Sequence, residues 1–182
     1  HNAAGTMTSK YSAHIEVWLP IDVIIDLNLD SSNGGIFLSD IKGGEITLDT
    51  SNGGFEFYNV EARNVDASTS NCPVTGMLDS WYADIDTSNG AITLSLPCIR
   101  NGRYEIKTSN GPVKLEVSSS TKVGYYFDLS TSNGIIDIDL PNLDYIVKTR
   151  TKKEAHTYGL ASKSIRITID AVTSNGSMKI DS

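Results

Sequence analysis

One tripeptide, Ser-Asn-Gly, recurs along this chain at a nearly fixed interval and limits what the chain can fold into. It stands at Ser32-Asn33-Gly34, Ser51-Asn52-Gly53, Ser88-Asn89-Gly90, Ser109-Asn110-Gly111, Ser132-Asn133-Gly134 and Ser174-Asn175-Gly176, with Ser70-Asn71-Cys72 as a variant. Successive asparagines lie 19, 19, 18, 21, 23 and 42 residues apart. The last interval is twice 21, which predicts a further corner near residue 154 that has lost its motif. Self-similarity at a fixed period marks a repeat architecture, in which no single repeat can bury its apolar face alone.

The flanks repeat as well. Three and five residues after each asparagine stand Ile36/Leu38, Phe55/Phe57, Val74/Gly76, Ile92/Leu94, Val113/Leu115, Ile136/Ile138 and Met178/Ile180. Six and four residues before it stand Leu27/Leu29, Ile46/Leu48, Val65/Ala67, Ala83/Ile85, Tyr104/Ile106, Phe127/Leu129 and Ile169/Ala171. Gly76 alone is not plainly apolar. The intervening positions are mostly polar or charged, as at Asp66, Asp84, Glu105, Asp128 and Asp170. Such alternation belongs to strands with one face buried and the other in water. A composition of 39% hydrophobic residues and 15 Gly against 5 Pro suits short strands joined by tight turns.

Asn33, Gly34, Asn52, Gly53, Asn71, Asn89, Gly90, Asn110, Gly111, Asn133, Gly134, Asn175 and Gly176 are therefore expected to form structural turns. Gly reaches positive φ without steric cost, and Asn tolerates it. Ser and Asn side chains bond locally to turn backbone, and stacked asparagines can bond to one another. Two all-β architectures satisfy the alternation. In a β-solenoid, each corner joins two strands of a coil and equivalent strands stack in parallel. In an antiparallel β-sandwich, Asn-Gly closes a hairpin. The preserved columns favour the solenoid, with about eight coils over residues 11–182, a lead-in over 1–10, and the segment from Met7 to Trp18 capping one end.

Four close copies of Thr-Ser-Asn-Gly, ending at Gly53, Gly90, Gly111 and Gly134, resemble the corner of the adhesin-like DUF4097 family of bacterial and archaeal β-repeat proteins. Ile15-Glu16-Val17-Trp18-Leu19-Pro20 is similar to that family's entry strand. The resemblance runs from Ile15 to Ile180 and implies a stacked β-roll in a cell-surface or envelope setting. It supplies no active site, because the shared motif is architectural.

The formal charge of −7 argues against a basic nucleic-acid surface. No run of eighteen apolar residues is present, so no helical membrane span is expected, and any signal or anchor is expected to lie outside this sequence. Cys72 and Cys98 fall at different places in the repeat and are expected to be free thiols. His1, His14 and His156 are scattered, and no nucleophile, metal or phosphate motif accompanies them. No catalytic residue, metal ligand or cofactor is assigned.

The acidic column could gather oxygen ligands for calcium, but it lacks loop spacing and is expected to be a solvated strand face. Lys148, Arg150, Lys152 and Lys153 form a basic run where the rhythm fails, an expected protruding contact loop for a glycan or protein partner. Trp81, Tyr82, Tyr125 and Tyr126 are expected mainly in packing, with some able to stack on sugars. The leading functional expectation is a non-enzymatic surface, spacer or scaffold module. The alternatives are a carbohydrate-active β-helix enzyme and a scaffold that self-associates through its end coils.

Overall fold

The computed structural model describes residues 15–20 and 23–182. Its strands are β1 (Ile25–Ser31), β2 (Ile36–Ser39), β3 (Lys42–Thr50), β4 (Phe55–Thr69), β5 (Val74–Thr87), β6 (Ile92–Leu96), β7 (Gly102–Thr108), β8 (Val113–Val117), β9 (Val123–Thr131), β10 (Ile136–Ile138), β11 (Leu143–Lys148), β12 (Lys152–Thr157), β13 (Ile165–Thr173) and β14 (Met178–Asp181). One 3₁₀ turn, Leu160–Ser162, precedes β13.

The strands make two parallel ladders that β4 and β5 join into one curled sheet. The strands before each Ser-Asn-Gly segment pair in the order β1, β3, β4, β5, β7, β13, β9. Those after it pair in the order β2, β4, β5, β6, β8, β14, β10. Register is in phase with the repeat: Ile46 faces Val65, Val65 faces Ala83, and Ala83 faces Tyr104. Parallel pairing removes the sandwich of hairpins, because hairpin neighbours must be antiparallel.

The inward columns are buried almost throughout. Ile85, Ile92, Tyr104, Leu115 and Phe127 are fully enclosed. The columns lose cover at the first rung, where Leu27 and Ile36 are partly buried and Leu29 is 36% exposed, and at Gly76. Among the described residues β1 pairs only with β3, and β2 only with β4.

The rungs do not stack in chain order. The rung of Asn175 lies between those of Asn110 and Asn133, since β13 pairs with both β7 and β9, and β14 with both β8 and β10. The chain therefore passes over one vacant rung, builds the rung of Asn133, and returns to fill the gap. This corrects the expected eight coils and the lost corner near residue 154: among the described residues seven parallel rungs form, and residues 143–157 make an antiparallel hairpin. β12 of that hairpin pairs with β9, and β11 with β12.

The hairpin tip occupies the place of a next rung. Thr131 N donates to Thr151 O at 2.8 Å and Ile136 N to Arg150 O at 3.1 Å. The equivalent amides Ile92 and Val113 donate to the neighbouring rung's Pro112 and Ser177 carbonyls in the same way. Edge amides that would otherwise template another chain are thus consumed. The expected cap from Met7 to Trp18 is not formed by its described part: Ile15, Val17 and Trp18 are exposed and residues 15–20 form no strand. Residues 1–14, including the expected lead-in, lie outside the described residues.

A β-carbon on Gly111 would sit 1.8 Å from the Gly90 carbonyl oxygen, whereas on Gly34, at the end of the stack, it would meet, among the described residues, the Ser31 side chain, with Oγ at 2.9 Å. Gly111→Ala is therefore expected to cost about 3 kcal/mol or more, and Gly34→Ala about 1 kcal/mol or less. Denaturant melts of the two variants compare these costs directly.

Candidate binding face and the bends that support it

Each Ser-Asn-Gly segment carries two hydrogen-bond systems that run along the stack. The first is a ladder of asparagine amides. Nδ2 of Asn52, Asn71, Asn89, Asn110, Asn175 and Asn133 donates to Oδ1 of the asparagine one rung back, over 2.7–3.0 Å. The second is built on the hydroxyl two residues before the asparagine. Ser31, Thr50, Thr87, Thr108, Thr131 and Thr173 accept from the amide of their own rung's Gly34, Gly53, Gly90, Gly111, Gly134 and Gly176 at 2.9–3.1 Å. Thr50, Thr69, Thr87, Thr108, Thr173 and Thr131 donate to the carbonyl at the glycine position of the preceding rung at 2.8–3.3 Å. A buried hydroxyl with both donor and acceptor used carries no desolvation penalty.

Glycine is needed in these bends for a different reason from the one expected. None of the bend residues has a positive φ; left-handed backbone occurs instead at Asp40, Asn59, Cys98 and Asn142, outside the Ser-Asn-Gly bends. At Gly53, Gly90, Gly111, Gly134 and Gly176, a β-carbon would lie within 2.0 Å of the carbonyl oxygen of the adjacent rung. At these five rungs the close approach of two backbones, which a bare Cα permits, selects the residue. Cys72 replaces glycine at one rung and turns its thiol toward Asn52 O at 3.0 Å. The threonine column is visible in the sequence as a residue type fixed at one offset, yet Asn and Gly draw attention first.

The bends hold the outer face of the second ladder in register. Two rows of side chains cross that face. One runs Phe37, Glu56, Thr75, Thr93, Lys114, Lys179, Asp137, and the other Ser39, Tyr58, then Met77, Ser95, Glu116, Asp181. Between Tyr58 and Met77 the pairing slips at Asn59, and Gly76 takes φ +120° with no room for a β-carbon, which would lie 1.9 Å from Phe57 O. An open groove of about 430 Å³ lies at this break in the pairing. Phe57, Gly76 and Leu94 contribute to its lining, as do Glu56, Tyr58, Thr75, Met77, Thr93 and Ser95. Phe37, Tyr58 and Met77 are 61%, 63% and 41% exposed.

A family model described as Toastrack DUF4097 matches residues 23–181, nearly all of the described chain. The chain belongs to the Toastrack DUF4097 family. The match begins after Pro20, so the expected entry strand at Ile15–Pro20 lies outside it as well as outside the sheet. No curated protein matches the chain. A solved structure titled as a putative cell adhesion protein from Clostridium sporogenes is similar at 12% identity, with a TM-score of 0.49, over 65% of this chain and 55% of that one.

Elsewhere on this Toastrack chain several charged residues pair with each other. Three members of the outward acidic column are paired with cations: Lys107 Nζ reaches Asp84 at 3.2 Å and Glu105 at 3.5 Å, and Arg103 reaches Glu105 at 3.1 Å and Asp170 at 2.6 Å. The basic run forms the β11–β12 hairpin. Lys148 Nζ lies 4.3 Å from the Tyr145 ring centroid and Lys153 Nζ 6.0 Å from it, while Lys152 Nζ is 3.8 Å from Asp128. Arg150 lies at the exposed tip, fixed by its backbone bond to Ile136. Tyr125 is buried and donates to Ser118 O at 2.7 Å. Tyr126 donates to Glu154 at 2.7 Å, which pushes its phenol up to about 12. Cys98 is buried, and burial raises its thiol, so it stays protonated.

One buried carboxylate stands apart. The Asp79 side chain is 3% exposed and contacts Arg100 Nε, and Arg100 also reaches Glu61 at 2.8 Å. The guanidinium carbon lies 5.0 Å from the centroid of half-exposed Trp81, which accounts for that tryptophan. Burial pushes the Asp79 carboxyl up, and Arg100 opposes it. Removing the cation leaves a buried carboxylate unpaired, so Arg100→Met is expected to cost about 3 kcal/mol at pH 7. A raised folded-state pKa gives stability that is full below the unfolded pKa and is lost as pH rises through the folded one. The deficit of the variant relative to the parent should therefore shrink between pH 7 and pH 4, as read by melting at each pH.

Proposed function

We propose that this chain is a non-enzymatic surface or envelope module, a β-solenoid whose Ser-Asn-Gly segments are its corners and whose second-ladder outer face is the part that makes contact. The observation that carries this reading is the pairing of a rigid support with a face that no other element covers among the described residues. Seven stacked bends hold their hydroxyls and amides in continuous hydrogen-bond systems, and on the face beside them Phe37, Tyr58 and Met77 stand exposed, the last two lining a groove. Exposed aromatic side chains on fixed backbone are the composition of contact surfaces. Within the acidic column, Asp84, Glu105 and Asp170 are engaged by Lys107 and Arg103. The adhesin-like character implied by the family resemblance agrees with a contact role outside the cell.

The test is accessibility on intact cells that make the full gene product. Antibodies raised against the folded module should label intact cells, and externally added protease should remove that signal. Labelling only after lysis would contradict an extracellular or envelope-exposed position.

A further inference from the structure

We propose that the groove around Gly76 binds a neutral, linear glycan laid across the strands, an inference that rests on the contact role assigned to this face. Its chemistry is graded. Phe37, Tyr58 and Met77 form an apolar platform at one side. The next rungs carry hydroxyls: Thr75 pairs with Thr93, and Met77 with Ser95. Carboxylate acceptors Glu56 and Glu116 border the groove. A sugar ring has an apolar C–H face that lies flat on an aromatic ring and a rim of hydroxyls that both donate and accept. Hydroxyl and carboxylate side chains supply the matching partners.

Spacing and charge narrow the class. Parallel strands repeat at about 4.8 Å, close to the length of one pyranose unit, so a chain running across the rungs meets one row of side chains per sugar. At the groove itself a peptide strand finds no open backbone edge, because β4, β5 and β6 are each paired on both sides there; an unpaired edge among the described residues is that of β2, beyond Phe37. The face carries Glu56, Glu116, Asp137, Asp139 and Asp181 against Lys114 and Lys179, and Lys179 is committed to Asp181 at 2.7 Å. That excess of negative charge disfavours uronic or sulfated polymers.

Native affinity electrophoresis tests the inference, with gels containing hydroxyethyl cellulose, galactomannan or laminarin as neutral polymers and polygalacturonate as the anionic arm. The protein should be retarded by at least one neutral polymer. Tyr58→Ala and Thr93→Arg, both at exposed outward positions, should each weaken that retardation tenfold or more with melting unchanged, while Arg150→Ala leaves it intact. Retardation in no neutral gel, retardation by polygalacturonate alone, or retardation indifferent to both groove variants would overturn it. Surface labelling of intact cells is independent of these gels, so a failed glycan assignment leaves the envelope position separately readable.

Discussion

The structure depends on how closely the backbones of adjacent rungs approach at the bends. There the carbonyl of one rung occupies the space a β-carbon would take on the next, and a threonine hydroxyl bridges the two. Glycine, threonine and asparagine are thereby fixed together: glycine by volume, threonine by its paired donor and acceptor, asparagine by an amide that can both give and receive along the stack. Aligned amides polarise one another, and each rung's contribution depends on its neighbours. The apolar columns then need only be apolar and of fitting size, which explains how Ala83, Ile85, Tyr104 and Phe127 share the same ladder.

That economy has a topological consequence. Because most rungs present the same bend and similar inward columns, one rung can stack on another that is not its neighbour in sequence. The chain uses this freedom by placing its last rung between the fifth and sixth to form. The β11–β12 hairpin makes the exchange workable, since its tip offers carbonyls to Thr131 and Ile136 where another rung would have stood. One end of the first ladder is closed in this way, and its register is held by antiparallel pairs such as Lys153 with Leu129 and Ala155 with Phe127.

Much of this was legible in the residues. Alternation around each asparagine separates Leu94 and Ile106, both buried, from Asp66 and Glu105 on the outer face, because a period of two is a property of any strand. Rung order was not legible, for the same reason that the columns were: equivalent rungs look alike, so an interval of 42 reads as a lost corner when it is a hairpin and a return. A bend suggests positive φ for its glycine, whereas the limit here comes from a neighbouring backbone about twenty residues or more away in sequence. The groove had one sequence signal, Gly76, the single break in the apolar column. Its meaning required the slip at Asn59 and the exposure of Tyr58 and Met77, which depend on packing between rungs.

The inserted rung is the central claim, and cysteine cross-linking tests it most directly. Adjacent parallel rungs bring paired Cα atoms within disulfide range, whereas two rungs, at about 10 Å, do not. Asn110→Cys with Asn175→Cys should form a disulfide on mild oxidation of the folded protein, identified by peptide mass mapping, and Asn110→Cys with Asn133→Cys should not. A bond between positions 110 and 133, with none between 110 and 175, would mean that the rungs stack in chain order and would contradict the account.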